Sequence, residues 1–382
     1  MQPHVLLINT YYPQFLDSLY AEEANLAEKP FDVQHQFISK QAFGAGVAYV
    51  RGLRSAGCRV QEIICNADVM QRQWAREHDV CFSSHVHDMR REIVAAQVGH
   101  YRPDVLFVFE WCPLGDPFLA DMKQEVNLVA GQIASPIPVN RTFGFYDVMF
   151  SSWPPIVDFF RKEGIRSEYQ MLAFDEHILE GAAKPTPVYD VTFVGGFAPS
   201  HPDRMGWLET LLQDVDVDIF GYGIDETDEQ SSIRAHHHGE VWGWGMYEVL
   251  QRSRMTLNRH ACNDIRGQVS HDIANNMRLF EATGVGTCLL TEMRSNLAIM
   301  FEPDVEVATY TSPQECLEKI RYYLDHPIQR ENLAKAGQMR TLRDHTYTLR
   351  MSELTDRLTH HLRLSGCEPS ASALSSAAQH SS

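Results

Sequence analysis

The sequence predicts two successive doubly wound α/β domains, each a parallel sheet covered by helices on both faces. Three observations carry this expectation. The chain has 382 residues, more than one hydrophobic core ordinarily holds. Short runs that are apolar throughout, such as "DVLFVFE" (104–110), alternate with helical stretches, as strands buried on both faces do. The alternation breaks at "GAAKPTPVYD", near 180–188, where two prolines mark a linker, and then restarts.

In the first half, "VLLIN" (5–9) is the first strand, followed by a long polar-aromatic segment. "GVAYVRGLRSAG" (46–57) is a helix with a glycine stop, and "RVQEIIC" (59–65) is the second strand. "DMRREIVAAQVGHY" (88–101) is a helix, and Pro103 separates it from the strand 104–110. Strands "VNLVAGQIA" (126–134) and "YDVMFSS" (146–152) and the helix around "IVDFFRKEG" (156–164) continue the pattern. After the linker come strand "DVTFVGG" (190–196), helix "MGWLETLLQ" (205–213) and strand "VDIFGYG" (217–223). "NNMRLFEATGVGTCLLTE" (275–292) reads as a short amphipathic helix, a glycine turn and a buried strand. "EVATY" (306–310) is a further strand. "SPQE" (312–315) has the form of a capping box with Pro313 at the first helical position. Helices at 328–344 and 350–363 end the ordered chain, and the small polar residues of 365–382 have nothing to bury. The divisions are 1–185, 186–348, a C-terminal helix at 349–364, and the tail.

The composition, 44% hydrophobic and 22% charged, is that of a globular protein. No apolar run approaches the roughly 20 residues that span a bilayer, and the start lacks the features of a signal peptide, so a cytoplasmic location is expected. The eight cysteines contain no Cys-x-x-Cys pair, which excludes a zinc framework. Lys+Arg 33 against Asp+Glu 50 leaves a net charge of −17, which argues against general nucleic-acid binding.

In such sheets ligands gather outside the carboxyl ends of the strands, so polar and glycine residues there are the candidates. Gly195 and Gly196 end a strand without side chains, which lets backbone N–H groups approach a phosphate, and a helix follows. His201 and Arg204 add basic groups; an ordinary glycine turn is the plain alternative. Asn258 and His260 end the strand-like "RMTLN" and its continuation. In "NNMRLFE", Asn276, Arg278 and Glu281 open the helix. A carboxylate accepts two hydrogen bonds, which suits a ribose diol, and the arginine suits a diphosphate. The plain alternative is an i,i+3 pair on a helix surface, contributing a few tenths of a kcal/mol. "DVDVD" (214–218) and "HHH" (236–238) resemble metal ligands in composition alone: the first begins a strand, and the second shows no acidic partner. No metal site is expected. Walker A, Gly-x-Ser-x-Gly and dinucleotide Gly-x-Gly-x-x-Gly motifs are all missing.

From "YDVTFVGG" through "GEVWGWGMYEVL", "LNRH" and "NNMRLFEATGVGTCLLTE" to "GQMRTLRDHTYTLRM", the second half resembles the CgeB-type, spore-maturation-protein-like glycosyltransferases. "YYPQFL", "RPDVLFV", "GQIASP" and "YDVMFSSWP" extend the resemblance more loosely into the first half. It implies the GT-B fold of the group 1 superfamily, with two Rossmann-like domains facing a cleft. The implied activity is transfer of a sugar from a nucleotide-diphosphate sugar, held by the second domain, to a hydroxyl of a saccharide or other acceptor on the first. The nucleotide sugar is a co-substrate, and no separate cofactor is implied. Glu281 resembles the second glutamate of the superfamily's Glu-x7-Glu motif, which binds the donor ribose. Eight residues upstream stands Ile273, with Asp272 one position off register, so the first glutamate's role has no owner and the stereochemical outcome stays open.

Glycosyl transfer needs a stabilised leaving diphosphate. A helix N-terminus, Arg204 and Arg278 are the candidates for that, without a metal. An inverting route also needs a general base from the first domain, for which Asp17, Glu22 and Glu110 are open alternatives. A sugar-nucleotide epimerase of the same fold and a non-catalytic nucleotide-binding or assembly protein are the competing readings.

Overall fold

The apolar runs form two parallel sheets. The computed structural model describes residues 2–109, 114–137, 139, 142–180, 185–197, 201, 203–224, 231–270 and 272–366. In the first sheet are β1 (His4–Asn9), β2 (Arg59–Ile64), β3 (Val105–Phe109), β4 (Leu128–Gln132), β5 (Val148–Ser151) and β6 (Arg166–Tyr169). Their order is β2-β1-β3-β4-β5-β6, and all pairings are parallel. β3 and β4 are buried at every position, which is why their sequences show no alternation. The polar-aromatic segment after β1 holds regular structure. It forms helices Pro13–Glu22 and Phe31–Ser39, whose Phe15, Leu16, Phe31 and Ile38 join Trp74 and Met89 in a separate apolar cluster.

The second sheet holds β7 (Tyr189–Val194), β8 (Asp218–Phe220) and β9 (Ser253–Asn258). A small antiparallel hairpin, β10 (Asn263–Ile265) and β11 (Gln268–Ser270), interrupts the pattern before β12 (Cys288–Glu292) and β13 (Ala308–Tyr310). The sheet order is β13-β12-β9-β7-β8, again all parallel. β7 has β8 on one side and β9 on the other, so the winding reverses beside it and a crevice opens at the carboxyl ends of β7 and β9.

Several contacts tie the halves together. Helix Tyr347–Leu364 leaves the second half and buries Met351, Leu354, Leu358 and Leu362 in the core of the first, against Leu53 and Val60. The hairpin reaches back, with Ile137 N–H donating to Asp264 O (2.8 Å) and Arg266 N–H to Ile137 O (2.9 Å). Trp244 donates through its backbone N–H to Gln41 O (3.2 Å) and through Nε1 to Lys40 O (2.7 Å).

Ser312 caps helix Pro313–Asp325 by accepting from Glu315 N–H, but the Glu315 carboxylate reaches Thr311 N–H rather than Ser312. Among the described residues no helix is long and apolar enough to cross a membrane. The expected polar tail lies, from residue 367 onward, outside the described residues.

Candidate active site

A cavity of about 270 Å³ occupies the crevice at the ends of β7 and β9, near the small end of the roughly 300–1,000 Å³ usual for ligand pockets. Eight of the nine residues singled out from the sequence line it: Gly195, Gly196, His201, Arg204, Asn258, Asn276, Arg278 and Glu281. His260 does not. It is buried behind the cavity, in an adjoining small pocket.

The helix that carries Arg278 and Glu281 runs Arg278–Gly284, and Leu279 through Gly284 are all buried. The amphipathic pattern read from the sequence is therefore misleading, because even Glu281 faces the protein interior. The Arg278–Glu281 pair is not a surface pair: Nη1 and Oε2 stand 2.8 Å apart with side chains only 11% and 9% exposed. Nη1 nevertheless lacks a hydrogen-bond partner among the described residues. The two meet as charges without hydrogen-bond alignment, which leaves that N–H donor capacity uncommitted. Arg278 also donates from Nε to Val194 O at the end of β7 (3.3 Å), and Asn276 Oδ1 accepts from Arg278 N–H (2.8 Å). Burial raises the Glu281 carboxyl above the ordinary range despite the opposing pull of Arg278.

Arg204, at the start of helix Arg204–Leu212, is 4% exposed. It donates from Nη1 to Gly196 O and from Nη2 to Arg259 O (3.0 Å), and its guanidinium lies 5.2 Å from the centre of the Phe193 ring. Among the described residues no carboxylate stands within ion-pair distance of it. Burial, with the charges of Arg259 and Arg278 nearby, lowers its pKa to about 9. It therefore stays charged at neutral pH, with no described carboxylate at ion-pair distance. Such a group invites an anion.

The glycines act differently from the expectation. Gly195 N–H donates to Phe220 O (2.9 Å) and so is not available to a phosphate. A Cβ on Gly196 would overlap the Tyr222 ring, so that glycine lets an aromatic wall close in. In the "ATGVG" turn, Gly284 packs against Phe174 and Gly286 against Gln338; neither lines the cavity.

Sequence reasoning missed that wall. Tyr222 and Trp242 stack at 5.3 Å, with Tyr12 packed on both at 5.7 and 5.4 Å. Of the described lining residues only Tyr12 comes from the first half of the chain. The available signal was "FGYG" at the end of β8, a third strand end beside the crevice.

The general-base alternatives find no support in position. Asp17 and Glu22 are exposed and line no part of the cavity, and Glu110 lies outside the described residues. Ile273 packs against the core of the first half, so the position eight residues before Glu281 serves as an apolar contact; Asp272 is exposed. The two metal-like runs partner each other: His236 Nε2 is 3.5 Å from Asp216 and His238 Nε2 is 2.7 Å from Asp218. This supplies the acidic partners that the sequence did not reveal. Among the described residues the one group of at least three ligands close enough for an ion is Asp175, Glu176 and His177. Asp175 there already pairs with Arg51 (3.0 Å), and the group does not line the cavity.

Residues 204–356 match the family model described as glycosyl transferase-like. No curated protein sequence matches the chain. A glycosyltransferase from Rickettsia africae superposes with a TM-score of 0.60 at 8% identity, over 95% of this chain and 99% of that one. HepE from Anabaena, solved with UDP and glucose, gives 0.58 at 9% identity over 94% and 100%. AviGT4, a glycosyltransferase involved in avilamycin A biosynthesis, gives 0.56 at 13% identity over 96% and 99%. The fold is GT-B, and a glycosyltransferase-like domain occupies residues 204–356.

Proposed function

We propose that this chain is a glycosyltransferase, of the CgeB-type group that its sequence resembles, which moves a sugar from a nucleotide-diphosphate donor to an acceptor hydroxyl without an essential metal. The observation that carries the reading is Arg204, a buried cation without a carboxylate partner among the described residues, in the wall of a cavity at the switch point of the second sheet. Arg278 and Glu281 stand in the same wall, and the solved relative HepE, of the same fold, holds UDP-glucose. In this arrangement Glu281 accepts from the ribose hydroxyls and Arg278 faces the diphosphate. The acceptor oxygen bonds to the anomeric carbon, the bond from that carbon to the diphosphate oxygen breaks, and the hydroxyl proton leaves to water or to the departing diphosphate. The departing diphosphate gains negative charge, and Arg204 and Arg278 stabilise it. The acceptor approaches from the first domain, which contributes Tyr12.

A melting-temperature screen against nucleoside diphosphates and their sugars tests this. A ligand at 100 times its dissociation constant adds about 2.7 kcal/mol to stability. Incubation with labelled donor alone then separates transfer from epimerisation: a transferase leaves the sugar unchanged or slowly hydrolysed, and an epimerase converts it. A screen without any stabilising nucleotide would sink the proposal.

A further inference from the structure

Behind Arg204 a second, smaller pocket of about 20 Å³ adjoins the main cavity, and His201 and Arg204 belong to both. Arg259, His260 and Arg294 complete its basic lining. Four buried nitrogens of these residues have no hydrogen-bond partner among the described residues: His201 Nδ1, Arg204 Nε, His260 Nδ1 and Arg294 Nε. Buried polar atoms in folded proteins are nearly always paired, so four around one pocket require an explanation. Arg204 and His260 are each 4% exposed, so bulk water does not satisfy them.

A hydrogen-bond chain lies behind His260. Asn258 Nδ2 donates to Thr291 Oγ1 (2.9 Å), and Thr291 Oγ1 lies 3.3 Å from His260 Nε2. Thr291 Oγ1 either gives its proton to Nε2, which leaves the ring proton on Nδ1, the atom without a partner, or accepts a second hydrogen bond from Nε2–H, which leaves Nδ1 an acceptor. The pocket presents N–H donors from Arg204 and Arg294 in either case, joined by His260 when its proton is on Nδ1. His201, His260, Cys262 and Asp203 also line it and are metal-ligating residue types, but three guanidinium groups in the same wall oppose a divalent cation. Glu292 offsets part of the charge of Arg294 (2.7 Å), and Asp203 more weakly that of Arg259 (3.8 Å). Arg204 remains without such a partner. The volume admits the oxygens of one acidic group and excludes a sugar ring.

We propose that this pocket is an oxoanion subsite beside the nucleotide site, taking a carboxylate or phosphate group. Only the source of that group, a substituent on the transferred sugar or a free ion, rests on the transferase reading. The test is calorimetric titration of the full chain with inorganic phosphate at fixed ionic strength, with and without saturating UDP. Phosphate is expected to bind the UDP-loaded protein, and Arg294→Gln to weaken that binding by about tenfold while UDP affinity holds. Phosphate that binds only when UDP is absent, or equally well to Arg294→Gln, overturns the subsite. Arg259→Gln gives the same reading if Arg294→Gln lowers the melting temperature. Comparing UDP-glucuronate with UDP-glucose identifies the source. Tighter binding of the glucuronate, lost in Arg294→Gln, assigns the subsite to the transferred sugar, and equal binding assigns it to a free oxoanion. If UDP and its sugars do not bind at all, the transferase reading fails, and the phosphate titration of the unliganded chain still decides the subsite.

Discussion

Arg278 Nη1 and Glu281 Oε2 stand 2.8 Å apart in a wall where both side chains are about nine-tenths buried, yet burial outweighs the arginine and raises the Glu281 carboxyl. A group raised in the folded state contributes stability that is present at low pH and lost as pH rises through its folded value. Arg278→Ala removes the opposing charge and raises that carboxyl further. The variant should therefore lose more melting temperature than the parent as pH rises above the ordinary carboxylate range. Glu281→Gln keeps the size and removes the titration, so its melting temperature should follow pH less steeply. Its nucleoside diphosphate affinity should fall by about tenfold to a hundredfold, the equivalent of about 1.5–3 kcal/mol for a charged hydrogen bond. Melting curves across pH, with calorimetry at neutral pH, read both effects. Unchanged affinity in Glu281→Gln would leave the pair a structural one.

Glu62 gives a second, independent pH signature. It is 5% exposed, and burial raises its carboxyl from 4.5 to about 7, with Asn9 and Arg54 pulling the other way. Asn9 Nδ2 lies 3.1 Å and His35 Nε2 3.8 Å from its oxygens, and burial lowers the histidine, which leaves it neutral at pH 7. The shift corresponds to about 3 kcal/mol, a stability present below pH 4.5 and lost as pH rises to 7. Glu62→Gln should therefore raise the melting temperature at pH 8 and change little at pH 4.5. An equal change at both pH values would show that Glu62 does not titrate in this window.

Turnover should survive EDTA treatment, because the proposed leaving-group site holds Arg204 and Arg278 and Glu281 is committed beside Arg278. Asp216 and Asp218 face His236 and His238 and are no longer the first place to look if activity is lost. Complete loss, restored by magnesium or manganese, would direct attention to Asp175, Glu176 and His177.

The strands were legible because a parallel sheet covered on both faces leaves them continuously apolar, as β3 and β4 show. Strand ends then located Gly195 and Asn258, since the crevice follows from strand order, and the helix start beside a glycine turn located Arg278. Three things were hidden for physical reasons. The helices Pro13–Glu22 and Phe31–Ser39 are short and pack into a cluster of their own, and the second puts the polar Gln34 on its buried face between Phe31 and Ile38. The burial of Glu281 depends on which helix face meets which neighbour, and "MRLFEA" reads as amphipathic until that is known. The wall of Tyr12, Tyr222 and Trp242 joins residues more than 200 positions apart, which local pattern cannot reveal.

That wall depends on a tight contact between the halves, and Gly243 tests it. Gly243 opens helix Gly243–Gln251 with φ +50, and a Cβ there would overlap the backbone oxygen of Gln41. A left-handed φ is costly for any residue with a side chain, of order 1–3 kcal/mol, and the overlap adds to that cost. Lys40 and Gln41 accept the two hydrogen bonds from Trp244, so relief must come by moving 242–244 away from the first half. Trp242 would then leave its packing against Tyr12 and Phe43. Gly243→Ala is expected to lower the melting temperature and weaken nucleoside diphosphate binding together. Gly245→Ala is the control two residues on, where no atom lies within 4 Å of an added Cβ. In a helix interior that change should be neutral or stabilising by about 0.5–1 kcal/mol. Melting temperature and calorimetry on both variants decide the matter: if Gly243→Ala binds nucleotide as the parent does, the contact between the halves does not shape the cavity.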